Sequence, residues 1–262
     1  NLISCYVGDN KRDVHSMTAA GIAKTTYEKY IEAYDDDEHE DHGKYVKIRK
    51  RPAKQTNFLM TYLGEAPTLS RKLIIPLKDA EAMMNAAYAT YPRIQPWQDE
   101  VVSFARTHGY ARTAYGSRRH VTSNIFAKSN SVRKRMERQA VNSVIQGCAA
   151  DILKIVLTQC WETNLWRDTG AKLLGPVYDE ITSSVPISMI PEYIHRLVEI
   201  MTLTPPGHIV PMAADVSLGH NWRDQIEIGE NPTDEVILEA IEKAVEARDE
   251  ASVLVGDVVV KA

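Results

Sequence analysis

Residues 173–186 read Leu173-Leu174-Gly175-Pro176-Val177-Tyr178-Asp179-Glu180-Ile181-Thr182-Ser183-Ser184-Val185-Pro186. Two apolar, partly β-branched runs flank an Asp-Glu pair. This is the pattern of a β-hairpin with two carboxylates at or near its tip. Carboxylates held on a rigid hairpin are good ligands for a hard cation such as Mg²⁺. Acidic pairs in hairpin turns are usually just solvated, so the meaning of this one rests on its surroundings.

Upstream, residues 131–165 read as one long helix. Val141, Val144, Ile145, Ala149, Ile152 and Ile155 lie on or near its apolar face. Arg138, Asn142 and Gln146 are spaced by four and form a polar stripe on that helix. Amide side chains can read base edges, and the minor groove offers an acceptor on every base. A helix-packing seam with satisfied polar groups is the bland alternative. Gly147, Ala149 and Ala150 would admit close approach of another backbone or a nucleic-acid strand.

Still further upstream a helix is expected to begin near Arg51, with Pro52 in its first position, where the missing N–H costs nothing. Lys50, Lys54, Phe58 and Tyr62 recur every four residues along one stripe. Cations at a helix N-terminus followed by aromatics suit a nucleoside triphosphate. The phosphates would meet the cations and the positive end of the dipole, and the base and sugar would meet the rings. An amphipathic helix with a basic start and aromatic core residues is the competing reading.

Helices are also expected over 13–34, 77–91, 96–108 (closed by Gly109), 190–203 and 232–250. A short hairpin is expected around Tyr115-Gly116-Ser117 and a strand over 208–218. The acidic stretch 35–41 reads as a solvated loop. With 262 residues, 44% hydrophobic and 25% charged, the chain can build a sizeable core. The net charge of −4 argues weakly against a nucleic-acid partner, but it hides basic runs at 47–54, 118–120 and 133–138. Three widely spaced cysteines, Cys5, Cys148 and Cys160, suit neither a disulfide framework nor a zinc site. No run approaches a membrane span, and no basic-then-apolar leader pattern opens the chain. A cytoplasmic protein without a membrane partner is the expectation.

The order and spacing of these segments resemble the C-terminal part of a family A DNA polymerase, over about residues 2–224. Lys54 through Tyr62 resembles that family's fingers helix, and Asn142 through Asp151 its long palm helix. Val177-Tyr178-Asp179-Glu180 resembles its second catalytic motif, and Asp13-Val14-His15 a segment whose histidine touches the incoming triphosphate. Gly116-Ser117-Arg118-Arg119 and Gly219-His220-Asn221-Trp222 match in turn. The resemblance implies an α/β (α+β) right-hand polymerase fold, with helical fingers and part of an antiparallel-sheet palm. The expected divisions are 1–12 as a palm segment, 13–120 as fingers, 121–225 as palm and 226–262 as an acidic C-terminal extension.

What the resemblance implies for function is template-directed DNA synthesis from dNTPs on primer-template DNA, with two Mg²⁺ ions. Asp179 would bind metal, with Glu180 its less critical neighbour. Lys54 would hold the triphosphate and act as a general acid. His15, Lys50, Arg51, Phe58 and Tyr62 would contact the nucleotide, Lys50 and Arg51 being alternatives for one phosphate-binding role. Arg71, Arg118, Arg138, Asn142, Gln146 and Tyr178 would contact DNA. Tyr178 stands where the family usually has histidine, and Leu63 where it usually has glycine. The segment between Asp9 and Asp13 is short, and compact divergent features of this kind are more usual in bacteriophage enzymes, which would work in the host cytoplasm.

The first catalytic motif of the family would precede Leu2. An N-terminal polymerase chain carrying it, and with it the second set of metal ligands, is therefore the expected partner. The 262 residues alone are expected to be inactive. A non-catalytic DNA-binding or regulatory fragment and a single-subunit RNA polymerase relative are the rival readings.

Overall fold

The computed structural model describes residues 2–7, 11–205, 207–250 and 257–261. The chain forms two compact units, 1–148 and 149–262, and the dividing point falls within the longest helix. The expected boundary near residue 120 lies inside the first unit. Gly8 and Asp9, part of the segment matched upstream of Asp13, lie outside the described residues.

The first unit is mostly helical. A helix spanning 13–34 was expected, yet two form: α1 (Val14–Ala23) and α2 (Tyr27–Asp35). Lys24 takes a left-handed φ of 56° and ends α1. The Thr26 hydroxyl then accepts from Lys29 N and caps α2. After the acidic loop comes α3 (His42–Ile48), which the sequence reading missed. It runs without a break into a π-helical turn, Arg49–Ala53, and on into α4 (Lys54–Thr61).

The expected helix start at Arg51–Pro52 is therefore corrected. Pro52 lies inside a continuous helix, and Lys50, Arg51 and Lys54 stand at no N-terminus. Proline has no N–H, and its ring strikes the carbonyl four residues back. A wider π-turn accommodates both defects without ending the helix.

Tyr62 is the C-cap of α4 rather than a member of its helical stripe. Next come α5 (Ala66–Leu73), α6 (Leu77–Thr90) and α7 (Ile94–His108). Gly109, at φ 75°, closes α7 as expected. A hairpin of β1 (Tyr110–Arg112) and β2 (Arg118–His120) turns through Gly116 at φ 95°. Three small cores hold the unit: Ala19, Tyr30 and Tyr45; Met60, Leu69 and Tyr91; and Ala105, Ile125 and Ala140.

The longest helix, α8 (Asn130–Glu162), is apolar and long enough over one window to cross a membrane, contrary to the expectation that no run was. Its Ala140 and Val141, and its Val156 and Cys160, are instead buried in the two units.

The second unit continues with α9 (Leu165–Thr169), β3 (Lys172–Val177), β4 (Glu180–Pro186), α10 (Ile190–Thr202), β5 (Asp215–Gly219), β6 (Ile226–Glu230), α11 (Asp234–Glu250) and β7 (Asp257–Lys261). The strand expected over 208–218 is shorter. Pro211 cannot donate to a ladder, and the run before Asp215 is irregular.

The sheet is antiparallel throughout, in the order β3-β4-β7-β5-β6. The stretch 226–262 was expected to add one acidic helix. It also supplies two strands, and β7 sits between β4 and β5. Ile181, Val185, Leu218 and Val260 of the sheet are buried together with Tyr193 and Leu197 of α10 and Ile237 of α11.

Candidate functional site

The helix formed by α3, the π-turn and α4 has two distinct faces. Ala53, Thr56, Asn57 and Met60 are buried. Lys50, Arg51, Lys54 and Phe58 are exposed, with Phe58 48% accessible. An aromatic ring so placed loses the apolar burial that a core position would give it, and Phe58 is in that sense available to a ligand. The buried face is anchored from several directions. Thr56 Oγ1 donates to Pro52 O at 2.8 Å, inside the π-turn. Gln98, 1% exposed on α7, donates from Nε2 to Met60 O at 2.7 Å and so satisfies a carbonyl at the end of α4.

Arg49 Nε donates to Asp13 Oδ2 at 2.8 Å. The same carboxylate oxygen accepts from Ser16 N at 2.7 Å and caps α1. Burial pushes the Asp13 carboxyl up, but the hydrogen bonds from Arg49 and Ser16 outweigh it and bring the pKa down to about 2. Beside this pair stands His15, half-buried. Burial depresses its imidazole pKa; Asp13 opposes the shift, and Arg49 and Lys54 add to it.

The cations differ in their partners. Arg51 Nη2 donates to Lys72 O at 3.2 Å. Among the described residues no hydrogen bond or ion pair is found for Lys50 or Lys54. A cavity of about 670 Å³ brings together Phe58, Tyr62, Arg71, Lys72 and Arg138, four of them expected site residues. Arg118 stacks its guanidinium over Tyr110, 4.8 Å from the ring centroid. Asn142 Nδ2 donates to Gln146 Oε1 at 3.4 Å, so the two amides share one face of α8. A Cβ on Gly147 would stand 2.7 Å from Thr113 Cγ2. The close approach that this glycine permits is thus to the loop following β1.

In the second unit, Val177 pairs with Glu180, leaving Tyr178 and Asp179 as a two-residue turn. Tyr178 has φ 58° and is 93% exposed. A bulky residue in that conformation is strained, and such strain concentrates at functional sites. Asp179 is exposed at the tip. Glu180 accepts from Thr182 Oγ1 at 2.8 Å and lies 3.7 Å from Lys261 Nζ. Asp179, Glu180, Asp215, Ser217, Glu227 and Lys261 line a cavity of about 510 Å³.

Hard carboxylate oxygens on a rigid, solvent-accessible turn fit a Mg²⁺ ion. Among the described residues, however, no three His, Cys, Asp or Glu side chains converge closely enough to form a metal cage. Asp179 fits as part of a donor set.

Sequence reasoning did not single out Asn57 or Gln98. Both are polar residues at positions a helical pattern assigns to the core, which was the signal available. Nor did it find Lys261, whose place depends on strand pairing.

The fold is similar to that of a solved POL domain of Pol1 from M. smegmatis in complex with DNA primer-template and dNTP. The TM-score is 0.62 and the identity 25%, over 77% of this chain and 32% of that one. The thermostable DNA polymerase I of Thermus aquaticus is 30% identical over 225 residues, 85% of this chain and 24% of its own length. DNA polymerase I of Deinococcus radiodurans is 35% identical over 176 residues, 67% of this chain and 18% of its own. The chain thus spans about a fifth of the length of the curated relatives it matches. The family model for DNA polymerase family A matches residues 1–224, and with the collinear motifs now placed on a polymerase-like fold, the chain belongs to that family.

Proposed function

We propose that the chain provides the nucleotide-binding helix and one metal-binding carboxylate for template-directed DNA synthesis, the transfer of a nucleotidyl group from a dNTP to a primer 3′-hydroxyl. Family membership supports the reaction class. The observation that carries the reading is the exposed Lys50–Lys54–Phe58 face on a helix whose opposite face is locked into the core.

In this reading Lys54 holds the triphosphate and gives a proton to the departing pyrophosphate. Lys50 takes a phosphate, because Arg51 is already committed to the Lys72 carbonyl. Phe58 packs on the sugar, Tyr62 stacks near the template base, and His15 donates to a phosphate oxygen. Arg71, Arg118, Arg138, Asn142 and Gln146 follow the DNA, and Tyr178 meets the primer terminus. Bound Mg²⁺ supplies a Lewis acid that acidifies the 3′-hydroxyl and offsets phosphate charge. Asp179 is its ligand from this chain, with Glu180 beside it. The remaining ligands are proposed to come from polypeptide outside these 262 residues, an N-terminal polymerase portion carrying the first catalytic motif. A bacteriophage source and a cytoplasmic site of action belong to the same proposal; the relatives named above are bacterial.

Primer extension tests it, with the chain alone and mixed with a family A N-terminal portion, supplied with dNTPs or rNTPs. The expected result is dNTP-dependent extension only in the mixture, reduced by several orders of magnitude in Asp179→Ala while DNA binding persists. Extension that survives Asp179→Ala overturns the proposal. Preferential use of rNTPs would assign the chain to RNA synthesis instead.

A further inference from the structure

Asn57 is 5% exposed and uses each of its polar atoms. Its Oδ1 accepts from Thr18 Oγ1 at 2.6 Å. Its Nδ2 lies 3.3 Å from Val14 O and 3.0 Å from His15 Nδ1. A backbone carbonyl can only accept, so the amide edge facing Val14 O must be the NH₂ group. Tyr91 OH also donates to that carbonyl, at 3.0 Å, which leaves no alternative role for it. The second Nδ2 proton is then directed to His15 Nδ1, which must be the unprotonated nitrogen. In a neutral imidazole the proton therefore sits on Nε2.

We infer that Asn57 is a positioning residue that holds His15 in the Nε2–H tautomer, so that this histidine presents a neutral N–H donor to a phosphate oxygen. The inference rests on the reading above, in which His15 meets the triphosphate. Asp13, Arg49 and Lys54 are the charged groups acting on the ring, and burial adds to the two cations in disfavouring the imidazolium. The cations on the exposed face carry the positive charge, and His15 adds direction. A fixed tautomer avoids the reorganisation that a freely tautomerising ring would undergo before donating.

The test reads the tautomer directly. The full 262-residue chain, labelled with ¹⁵N-histidine, is examined by long-range ¹H–¹⁵N correlation, with His15→Gln identifying the His15 signals. The wild type is expected to show protonated Nε2 and bare Nδ1. Asn57→Asp replaces the donor by an acceptor and is expected to move the proton to Nδ1 or to charge the ring. Should Asn57→Asp not fold, Asn57→Leu is expected to give a mixture of tautomers. A wild-type Nδ1–H tautomer, or an Nε2–H signal unchanged in these variants, overturns the inference. Separately, calorimetry with inorganic tripolyphosphate is expected to show about tenfold weaker binding for both Asn57→Leu and His15→Gln, the loss of one directed hydrogen bond to a charged group. If the tautomer responds to Asn57 but His15→Gln leaves tripolyphosphate binding intact, the phosphate role of His15 is overturned and the control of its tautomer by Asn57 stands.

Discussion

The guanidinium of Arg49 and the carboxylate of Asp13, 2.8 Å apart, join the π-turn of one helix to the first turn of another. Thirty-six residues separate them in sequence. The contact fixes the roll of the helix carrying Lys50, Lys54 and Phe58 against α1, which carries His15. Arg49→Met is expected to destabilise the protein by about 1 kcal/mol at neutral pH, the value of a pair more than a third exposed on one side after solvent screening. Asp13 has a folded pKa of about 2 against an ordinary 3.8, so its stabilisation is present above pH 4 and lost as pH falls towards 2. Urea denaturation of wild type and Arg49→Met across this window should show their difference shrinking with acid. A difference that persists at pH 2 would contradict the assignment.

Leu63 holds φ 53° immediately after α4. A leucine pays a steric penalty there that glycine does not. Leu63→Gly is expected to raise stability by about 0.5–1 kcal/mol, visible as a Tm increase of a few degrees. A lower Tm would mean that the leucine side chain contributes packing that outweighs the strain.

The three cations on the exposed helix face should separate by function. Lys54→Met and Lys50→Met are each expected to weaken dATP binding about tenfold while leaving Tm within a degree or two, as for surface charges that meet phosphate only when ligand arrives. Arg51→Met should do the reverse, because its guanidinium is bonded to Lys72 O. Stability should fall and binding should change by less than about threefold. Equal effects of all three on binding would remove the distinction.

Lys261 places its ammonium 3.7 Å from Glu180 Oε1 and 4.5 Å from the centroid of the Trp222 ring. A fixed cation there opposes a divalent metal at the neighbouring Asp179. Lys261→Met is expected to strengthen Mn²⁺ binding to the chain about fivefold, roughly 1 kcal/mol of repulsion removed in a partly solvated setting. Paramagnetic titration measures it, with Asp179→Asn as the control that should abolish the gain. Weaker Mn²⁺ binding in Lys261→Met would show that the lysine organises the carboxylates rather than opposing the metal.

The hairpin at 173–186 was legible because its information is local. Two short apolar, partly β-branched runs on either side of an acidic pair suffice to mark a hairpin, and the structure forms β3 and β4 there with Asp179 at the tip. The same holds for α7 and its Gly109 cap. Phe58, Tyr62 and Arg138 were singled out by their spacing and Arg71 through the family resemblance, and the structure gathers the four around one cavity. Pro52 misled because its local meaning is a helix start. Here the chain stays helical through it, and the turn widens to make room.

The chain's own order of residues determined most of the helices, where the acidic turn lies, and that Lys50, Lys54 and Phe58 share a stripe. Each of these follows from periodicity and capping within a few residues. Tertiary structure decided what depends on partners far along the chain. It carried the helix through Pro52, with Arg49 bound to Asp13. It turned the Asn57 amide, because the Val14 carbonyl can only accept. It also set β7 between β4 and β5, where a strand finds backbone partners on both edges, and so brought Lys261 to the carboxylate of Glu180. Backbone groups in a sheet and polar groups in a core must find partners, and no local pattern states which partner will be there.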